Sequence, residues 1–131
     1  MVRPTLASLT AVLALAACGG DDTEAVKRTV REFVQATDQR DAGAFCDKLV
    51  TQQFLEQSTG AVGHEAHAAC KRQLAAVTGL RLRLVRIRDT EIDGDRARVT
   101  AVLETQGRRQ VRLLRLRKED GDWKVAGGSG R

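Results

Sequence analysis

The spacing of apolar residues divides the chain into a helical half and a strand half. Between residues 23 and 39, Val26, Val30 and Val34 recur every four positions, which predicts an amphipathic helix with one buried face. Beyond Gly79 the apolar period changes to two, as in strands that bury one side. Because the helices precede the strands instead of alternating with them, the pattern indicates an α+β fold.

Two further helices are predicted before residue 79. Asp41 is placed to cap a second helix whose buried side carries Leu49, and residues 52–55 either prolong that helix or form a separate turn. A stretch rich in glycine and small polar residues then interrupts the pattern. A third helix follows at about residues 64–77, and its predicted buried residues are Ala66, Cys70, Leu74 and Val77.

Four strands are predicted in the second half, at about residues 80–92, 97–105, 109–117 and 122–126. The joints between them carry the turn dipeptides Asp93-Gly94, Gln106-Gly107 and Asp120-Gly121. Such short connections predict a four-stranded antiparallel sheet, with the three N-terminal helices packed on its concave face. The glycine-rich residues 127–131 are predicted to be a disordered tail.

The apolar alternation slips by one residue in two strands. In the first strand Leu84 gives way to Ile87, and in the third Leu113 gives way to Leu114. A slip that keeps one face apolar requires a β-bulge, and bulges bend sheets, so we expect strong curvature. The residues predicted to face the concave side and to line any pocket there are Phe33, Val99, Ala101, Leu103, Val111, Leu113 and Val125.

Arginine dominates the opposite face of the predicted sheet. The formal net charge is +5, and residues 79–131 hold 14 basic and 8 acidic side chains, whereas residues 18–78 hold 7 and 9. Two interpretations stay open: a solvated face, or contact with anionic lipid, an anionic polymer or an acidic envelope protein. The arginines predicted on this face are Arg81, Arg83, Arg86, Arg88, Arg96, Arg98, Arg112, Arg115 and Arg117.

The N-terminal segment has the pattern of an export signal. Residues 1–17 combine an early arginine, a mostly apolar run too short to cross a bilayer stably, and small residues at the end. The sequence Leu15-Ala16-Ala17-Cys18 resembles the lipobox of bacterial lipoproteins, which implies cleavage before Cys18 and lipid on its sulfur, at the outer face of the cell membrane. The alternative is a secreted protein cut near Ala16. Residues 18–22 are then a short tether, and residues 23–126 form one domain.

Export decides how the remaining cysteines are interpreted. With Cys18 lipidated, Cys46 and Cys70 form an even pair in an oxidising compartment, which favours a disulfide. His64, His67 and Cys70 also recur at three-residue steps, so a Cys₂His₂ metal site with Cys46 is an alternative, and unpaired thiols are another. Because the spacing matches no known zinc module, no metal ligand is assigned.

Beyond the lipobox, the chain resembles bacterial lipoproteins with an NTF2-like domain, also called SnoaL-like or cystatin-like. The resemblance rests on the segment VKRTVREFVQATDQRDAGAFCDKLV, on Cys70 and on the closing strand DGDWKV. It implies a cone whose open end holds a small apolar ligand, a catalytic carboxylate or nothing. Enzymes of this superfamily typically place a Tyr and an Asp or Glu inside the cone, and this chain has no Tyr.

Composition narrows the function classes further. The 131 residues suffice for one domain, and Phe33, Phe45, Phe54 and Trp123 are the only aromatic residues, so nucleic-acid binding by base stacking is not expected. No cofactor and no catalytic residue is assigned. The leading expectation is a membrane-anchored, non-catalytic lipoprotein that binds a partner or a small apolar ligand. The alternatives are an isomerase-like enzyme, with Asp38 as the base near the cone mouth, and a structural or regulatory surface module.

Overall fold

The computed structural model describes residues 19–130, so the predicted signal sequence and Cys18 lie outside the described residues. The helical part consists of α1 (Gly19–Gln39), α2 (Ala42–Ala44), a π-helical turn (Phe45–Leu49), α3 (Gln52–Thr59) and α4 (His64–Ala76). The strands are β1 (Leu82–Asp93), β2 (Arg96–Thr105), β3 (Arg108–Glu119) and β4 (Asp122–Gly130). The strands pair antiparallel in chain order, which confirms the predicted sheet and the α+β class.

The first helix forms as its apolar spacing predicts, and it begins earlier than expected. Val26 and Val30 are fully buried against the sheet. Residues 19–22, predicted as a tether, are the first turn of α1. Contacts with the sheet favour this longer helix, because the Trp123 indole Nε1 donates a hydrogen bond to Asp22 Oδ1 at 3.4 Å.

Side-chain caps set the boundaries of the next two helices. Asp41 Oδ1 accepts a hydrogen bond from the Ala44 N–H, so the predicted cap is confirmed. Thr51 caps α3 in the same way through Phe54, which makes residues 52–55 part of a separate helix. The fourth helix buries Ala66, Cys70 and Leu74 as predicted, whereas Val77 lies beyond its last residue and is 36% exposed.

The register of the sheet confirms one predicted bulge and contradicts the other. In β1 the pairing with β2 shifts between Leu84 and Arg86, as predicted, and it shifts again between Ile87 and Asp89. These bulges bend the edge of the sheet and contribute to its curvature. Between β2 and β3 the pairing runs without a shift, so the bulge predicted near Leu113 is wrong.

The unbroken β2–β3 register moves two predicted pocket residues to the other face. Val111 is paired with Val102, and Leu113 with Thr100. Partners in an antiparallel pair lie on the same face, and this face is the one opposite Val99 and Ala101. Val111 and Leu113 therefore lie on the outer face of the sheet, and Val111 is 37% exposed there.

The predicted C-terminal tail is wrong for residues 127–130. These residues extend β4 and pair with β3, with Gly127 opposite Arg115 and Gly128 opposite Leu114. Ladder hydrogen bonds require only backbone groups, so a glycine-rich segment can complete a sheet when a paired strand is already in place. A Cβ at Gly128 would lie 3.2 Å from the Leu113 carbonyl oxygen, so this position favours glycine.

The core fills the narrow part of the cone between α1 and the concave face of the sheet. The chain segment before α3 also joins the sheet edge, because the Thr51 N–H donates to the Val125 carbonyl at 3.0 Å. The main cluster of buried residues consists of Val26, Val30, Cys46, Val50, Leu55, Ala66, Cys70, Ala97, Val99, Leu114, Leu116, Trp123 and Val125. A second, smaller cluster of buried residues consists of Val34, Ala101 and Leu103.

Candidate functional site in the cone and on the sheet

A pocket of about 220 Å³ opens at the wide end of the cone. One wall is formed by Phe33 of α1 and Phe54 of α3, and the other by Leu103, Leu114 and Val125 of the sheet. Arg112 and residues 127–129 complete the lining. The pocket is therefore an apolar cavity with one charged residue, and we call it the cone pocket.

Aromatic packing holds the helical wall of the cone pocket in place. The ring of Phe45 lies 5.3 Å from that of Phe33 and 6.5 Å from that of Phe54, the second pair edge to face. Such pairs add to the free energy gained from burial alone. Phe45 thus packs between Phe33 of α1 and Phe54 of α3. Phe33 and Phe54 also line the pocket, whereas Phe45 does not.

Arg112 lies on the concave side of the sheet, which corrects its predicted place on the outer face. Its partner in the register is Ala101, a fully buried residue of the concave face. The Arg112 side chain is exposed at the cone mouth, and its Nη2 donates a hydrogen bond to Gln110 Oε1 at 2.6 Å. The guanidinium is thus oriented by a neighbour at the rim of an apolar pocket.

The predicted pocket residues fall into three groups. Phe33, Leu103 and Val125 line the cone pocket. Val99 and Ala101 face the concave side but are fully buried in the core, and Val111 and Leu113 lie outside, as described above. The lining residues that the sequence did not indicate are Phe54, Arg112, Leu114 and residues 127–129. The two-residue Gln106-Gly107 turn could have indicated Arg112 and Leu114, because it fixes the β2–β3 register.

Asp38, the candidate base of the enzyme alternative, has a structural role. Its Oδ1 accepts a hydrogen bond from the Leu82 N–H at 2.8 Å, which fixes the start of β1 against the end of α1. It does not line the cone pocket. Within residues 19–130, no Asp, Glu or His lines that pocket, so the pocket offers a ligand no group suited to proton transfer.

The two cysteines of the described chain are paired. The sulfurs of Cys46 and Cys70 lie 2.11 Å apart, as the predicted disulfide requires, and the bond joins the π-helical turn to α4. His64 is exposed on the first turn of α4. No cluster of three or more potential metal ligands occurs in residues 19–130.

His67 belongs to a small polar cluster beside the disulfide. Its Nδ1 lies 2.9 Å from Asp47 Oδ1, and its Nε2 lies 2.7 Å from Gln52 Oε1. Lys71 Nζ lies 2.8 Å from the other Asp47 oxygen. The hydrogen bond from Lys71 is the main cause that lowers the pKa of Asp47 from its ordinary value of 3.8, with a smaller contribution from His67. The cluster lies apart from the cone pocket and joins α3, α4 and the π-helical turn.

Six of the nine arginines predicted on the outer face lie there. They are Arg83, Arg86, Arg96, Arg98, Arg115 and Arg117, as their register partners show. Arg81 precedes β1, and Arg88 is the unpaired residue of the second β1 bulge. With Arg112 inside, the outer face is less uniformly basic than the sequence predicted, because Asp89, Glu91 and Asp93 also lie on it.

The chain matches no known family model and no curated protein. Solved structures share its fold. An NTF2-like protein of unknown function from Silicibacter pomeroyi has a TM-score of 0.54 and 16% identity, covering 85% of this chain and 95% of its own. A protein with a cystatin-like fold from Nostoc punctiforme has a TM-score of 0.56 and 14% identity, with coverage of 85% and 90%.

A third similar structure carries an enzyme name. It is a candidate ketosteroid isomerase from Shewanella frigidimarina, with a TM-score of 0.55, 21% identity and coverage of 82% of this chain and 94% of its own. Identities this low show the fold alone. None of the helices within residues 19–130 is long and apolar enough to span a bilayer. The chain therefore has the NTF2-like, cystatin-like fold, a curved four-stranded sheet whose concave face is covered by helices.

Proposed function

We propose that this chain is an exported lipoprotein, anchored through Cys18, whose NTF2-like domain binds a small apolar ligand in the cone pocket without catalysing a reaction on it. The observation that carries the binding role is the lining of that pocket. Its walls are aromatic and aliphatic side chains, and its one charge is Arg112 at the rim. Ligand sites typically combine an apolar lining with a few polar groups that set orientation.

The size and charge of the pocket define the ligand further. A volume of about 220 Å³ is below that of most sites for drug-sized molecules, so the buried part of the ligand is small. A guanidinium matches a carboxylate in shape and charge and can bind it through two parallel hydrogen bonds. We therefore expect an apolar body of one or two rings that carries an anionic group.

A titration of the purified protein tests this binding role. The probes are 2-naphthoate and its neutral analogue 2-naphthamide, with isothermal titration calorimetry as the readout. Arg112→Gln should weaken naphthoate binding about tenfold, the lower end for a charged hydrogen bond, and leave naphthamide unchanged. Arg108→Gln, at the exposed first residue of β3, is the matched control and should change neither.

A second variant tests whether the probe occupies the cone pocket. Leu103→Trp places a larger side chain in the lining and should abolish binding of both naphthalene compounds. Circular dichroism confirms that the variant is folded. Unchanged binding to the folded Leu103→Trp protein would place the ligand elsewhere and overturn the proposal.

The anchor is tested separately from the pocket. It is supported by the sequence Leu15-Ala16-Ala17-Cys18, which resembles a lipobox. Intact-mass measurement of the membrane fraction should show a chain that begins at Cys18 and carries acyl groups, and Cys18→Ser should abolish this species. An unmodified mature chain in the culture medium would contradict the anchor and leave the pocket proposal in place.

A further inference from the structure

Four arginines line a groove on the outer face of the sheet, away from the cone pocket. They are Arg96 and Arg98 of β2 and Arg115 and Arg117 of β3, and we call the site the arginine groove. Gln53 and Gln57 of α3 form its wall at the β4 side. The groove has a volume of about 410 Å³. It thus offers four guanidinium groups and two carboxamides to one ligand region.

Each groove arginine stands directly opposite another arginine. Arg96 stands directly opposite Arg117, and Arg98 opposite Arg115, and like charges in direct cross-strand pairs are destabilising. Asp93 and Glu91 of β1 are the other neighbours of Arg96 and Arg98.

No ion pair within 4 Å involves any of the four groove guanidiniums in the part of the chain that the structure describes. Arg115 and Arg117 face only Gly127 and Lys124 on β4. Within the described residues Arg115 and Arg117 therefore have no acidic register partner, and an anion from outside the chain would supply the counter-charge.

A glycine makes room for one of these guanidiniums. A Cβ at Gly127 would lie 2.7 Å from Arg115 Nη2, so the Arg115 side chain lies across β4 where any other residue would interfere. The obstructed atom is the end of a flexible side chain, so a side chain at Gly127 would displace Arg115 without disrupting the strand. This position allows the geometry of the groove to be changed without removing a charge.

The groove lies at the end of the sheet where α1 begins. Asp22 of α1 forms an ion pair with Lys118 at 3.7 Å and accepts a hydrogen bond from Trp123. Lys118 of β3 and Trp123 of β4 are partners in the register of these two strands. Lys118 is adjacent to Arg117 in β3. Gly19 lies three residues before Asp22 in α1, which is a rise of about 4.5 Å at roughly 1.5 Å per residue. Gly19, the first described residue, therefore lies within one helical turn of Asp22.

We propose that the arginine groove binds the phosphate groups of anionic lipid headgroups in the membrane that carries the anchor. The inference rests on the proposed lipidation of Cys18, which would hold this end of the sheet at the headgroups. Guanidiniums bind phosphate oxygens through paired hydrogen bonds, and anionic leaflets attract each nearby basic residue. The lipid anchor and the arginine groove then fix two points of the domain on the bilayer.

Vesicle binding of the unlipidated full chain tests the groove independently of the anchor. All variants carry Cys18→Ser, and the readout is excess binding to vesicles of equal phosphatidylglycerol and phosphatidylcholine over phosphatidylcholine alone. Changing the four groove arginines to Gln should reduce this excess on the order of a thousandfold, given the attraction per basic residue near the surface. The excess for the parent should fall steeply with added salt.

The matched control removes the same charge elsewhere. It changes to Gln four arginines outside the groove, each exposed: Arg31, Arg72, Arg81 and Arg108. The control should retain most of the excess binding. Gly127→Val, which keeps every charge, should weaken binding several-fold by displacing Arg115. The groove variant should have a Tm close to that of the parent, because relief of the repulsion between the paired arginines is offset by loss of the pairs with Glu91 and Asp93.

Three results would overturn the proposal. Equal losses in the groove and control variants would show attraction to net charge alone. Competition by inorganic phosphate at low concentration, without preference for vesicles, would identify a soluble anion as the ligand. A groove variant that changes the sedimentation mass and not the vesicle binding would identify a second copy of the chain as the occupant. None of these results bears on the acylation of Cys18, which intact mass decides.

Discussion

The Asp47 carboxylate makes stability depend on pH at the level of one residue. Lys71 and His67 both contact it, and the Lys71 hydrogen bond is the main cause of its lowered pKa. A carboxylate with a lowered folded pKa stabilises the fold fully above its unfolded pKa, here the ordinary value of 3.8. As the pH falls through the folded pKa, this contribution is lost. Because the group is well exposed, we expect no more than about 1 kcal/mol.

Thermal unfolding of Asp47→Asn between pH 7 and pH 2.5 measures this contribution. The variant should have a lower Tm than the parent at pH 7, and the difference should shrink as the pH falls and the parent carboxylate becomes protonated. Glu32→Gln, on an exposed position of α1, removes an acidic charge outside this cluster and serves as the control. A Tm difference for Asp47→Asn that persists unchanged in acid would contradict the assignment to this ion pair.

Residue roles that depend on distant partners were the hardest to predict. Asp41 was predicted as a cap, and Asp41 caps α2, because its partner Ala44 is three residues away. Asp38 binds Leu82, 44 residues along the chain, and Trp123 binds Asp22 across the whole domain. Local sequence spacing predicts contacts between residues a few positions apart, and it gives no information on contacts between residues far apart in the chain.

The disulfide is the main covalent constraint between the helical elements. Cys46 lies in the π-helical turn and Cys70 in α4, 24 residues apart, and both are buried. By the chain-entropy model, a loop of this length stabilises the fold by about 3.5 kcal/mol. Reduction should therefore lower the urea midpoint markedly. The Cys46→Ser/Cys70→Ser double variant should show the same lowered midpoint with and without dithiothreitol.

A reductant effect on the double variant would show that some other step responds to dithiothreitol. A parent chain whose midpoint is the same in both conditions would contradict a stabilising bond. Reduction of the disulfide should lower the stability of the helical layer more than that of the sheet, because neither cysteine lies in a strand. Amide exchange of α4 and of β2, compared with and without reductant, resolves the two layers.

Element types were predictable from periodicity, but the face of β3 was not. Its sequence carries apolar residues on both parities, so burial alone allows either Val111 with Leu113 or Leu114 with Leu116 to face the helices. The two-residue Gln106-Gly107 turn settles the choice by pairing Thr105 with Arg108. Counting outwards from that turn places Arg112 opposite Ala101. The type of turn, and not the pattern of hydrophobic residues, therefore determines which face of β3 packs against the helices.

The molecule as a whole has two ends with different chemistry. One end carries the start of α1, the turns after β1 and β3, and the nearest groove arginines. The two turns are joined there by a backbone hydrogen bond, which the Lys118 N–H donates to the Asp95 carbonyl at 2.7 Å. The other end carries the β2–β3 turn, the start of β1 and the mouth of the cone pocket. A lipid on Cys18 would thus hold the arginine groove at the membrane and turn the pocket toward the aqueous phase.

Quenching of a fluorescent label by spin-labelled lipid measures this orientation in the proposed Cys18-acylated protein, reconstituted into vesicles. Asp120→Cys and Gln106→Cys are a matched pair, since both positions are exposed first residues of two-residue turns with φ near +50°. A label at 120 should be quenched strongly and a label at 106 weakly, because the sheet separates them by its full length. Twelve residues of β3 span about 40 Å at roughly 3.3 Å per residue, well beyond contact quenching.

Removing the four groove arginines should reduce the contrast between the labels while the acyl anchor keeps the protein on the vesicle. Equal quenching at both positions in the unsubstituted protein would mean that the anchor alone, with no preferred face, holds the domain at the membrane.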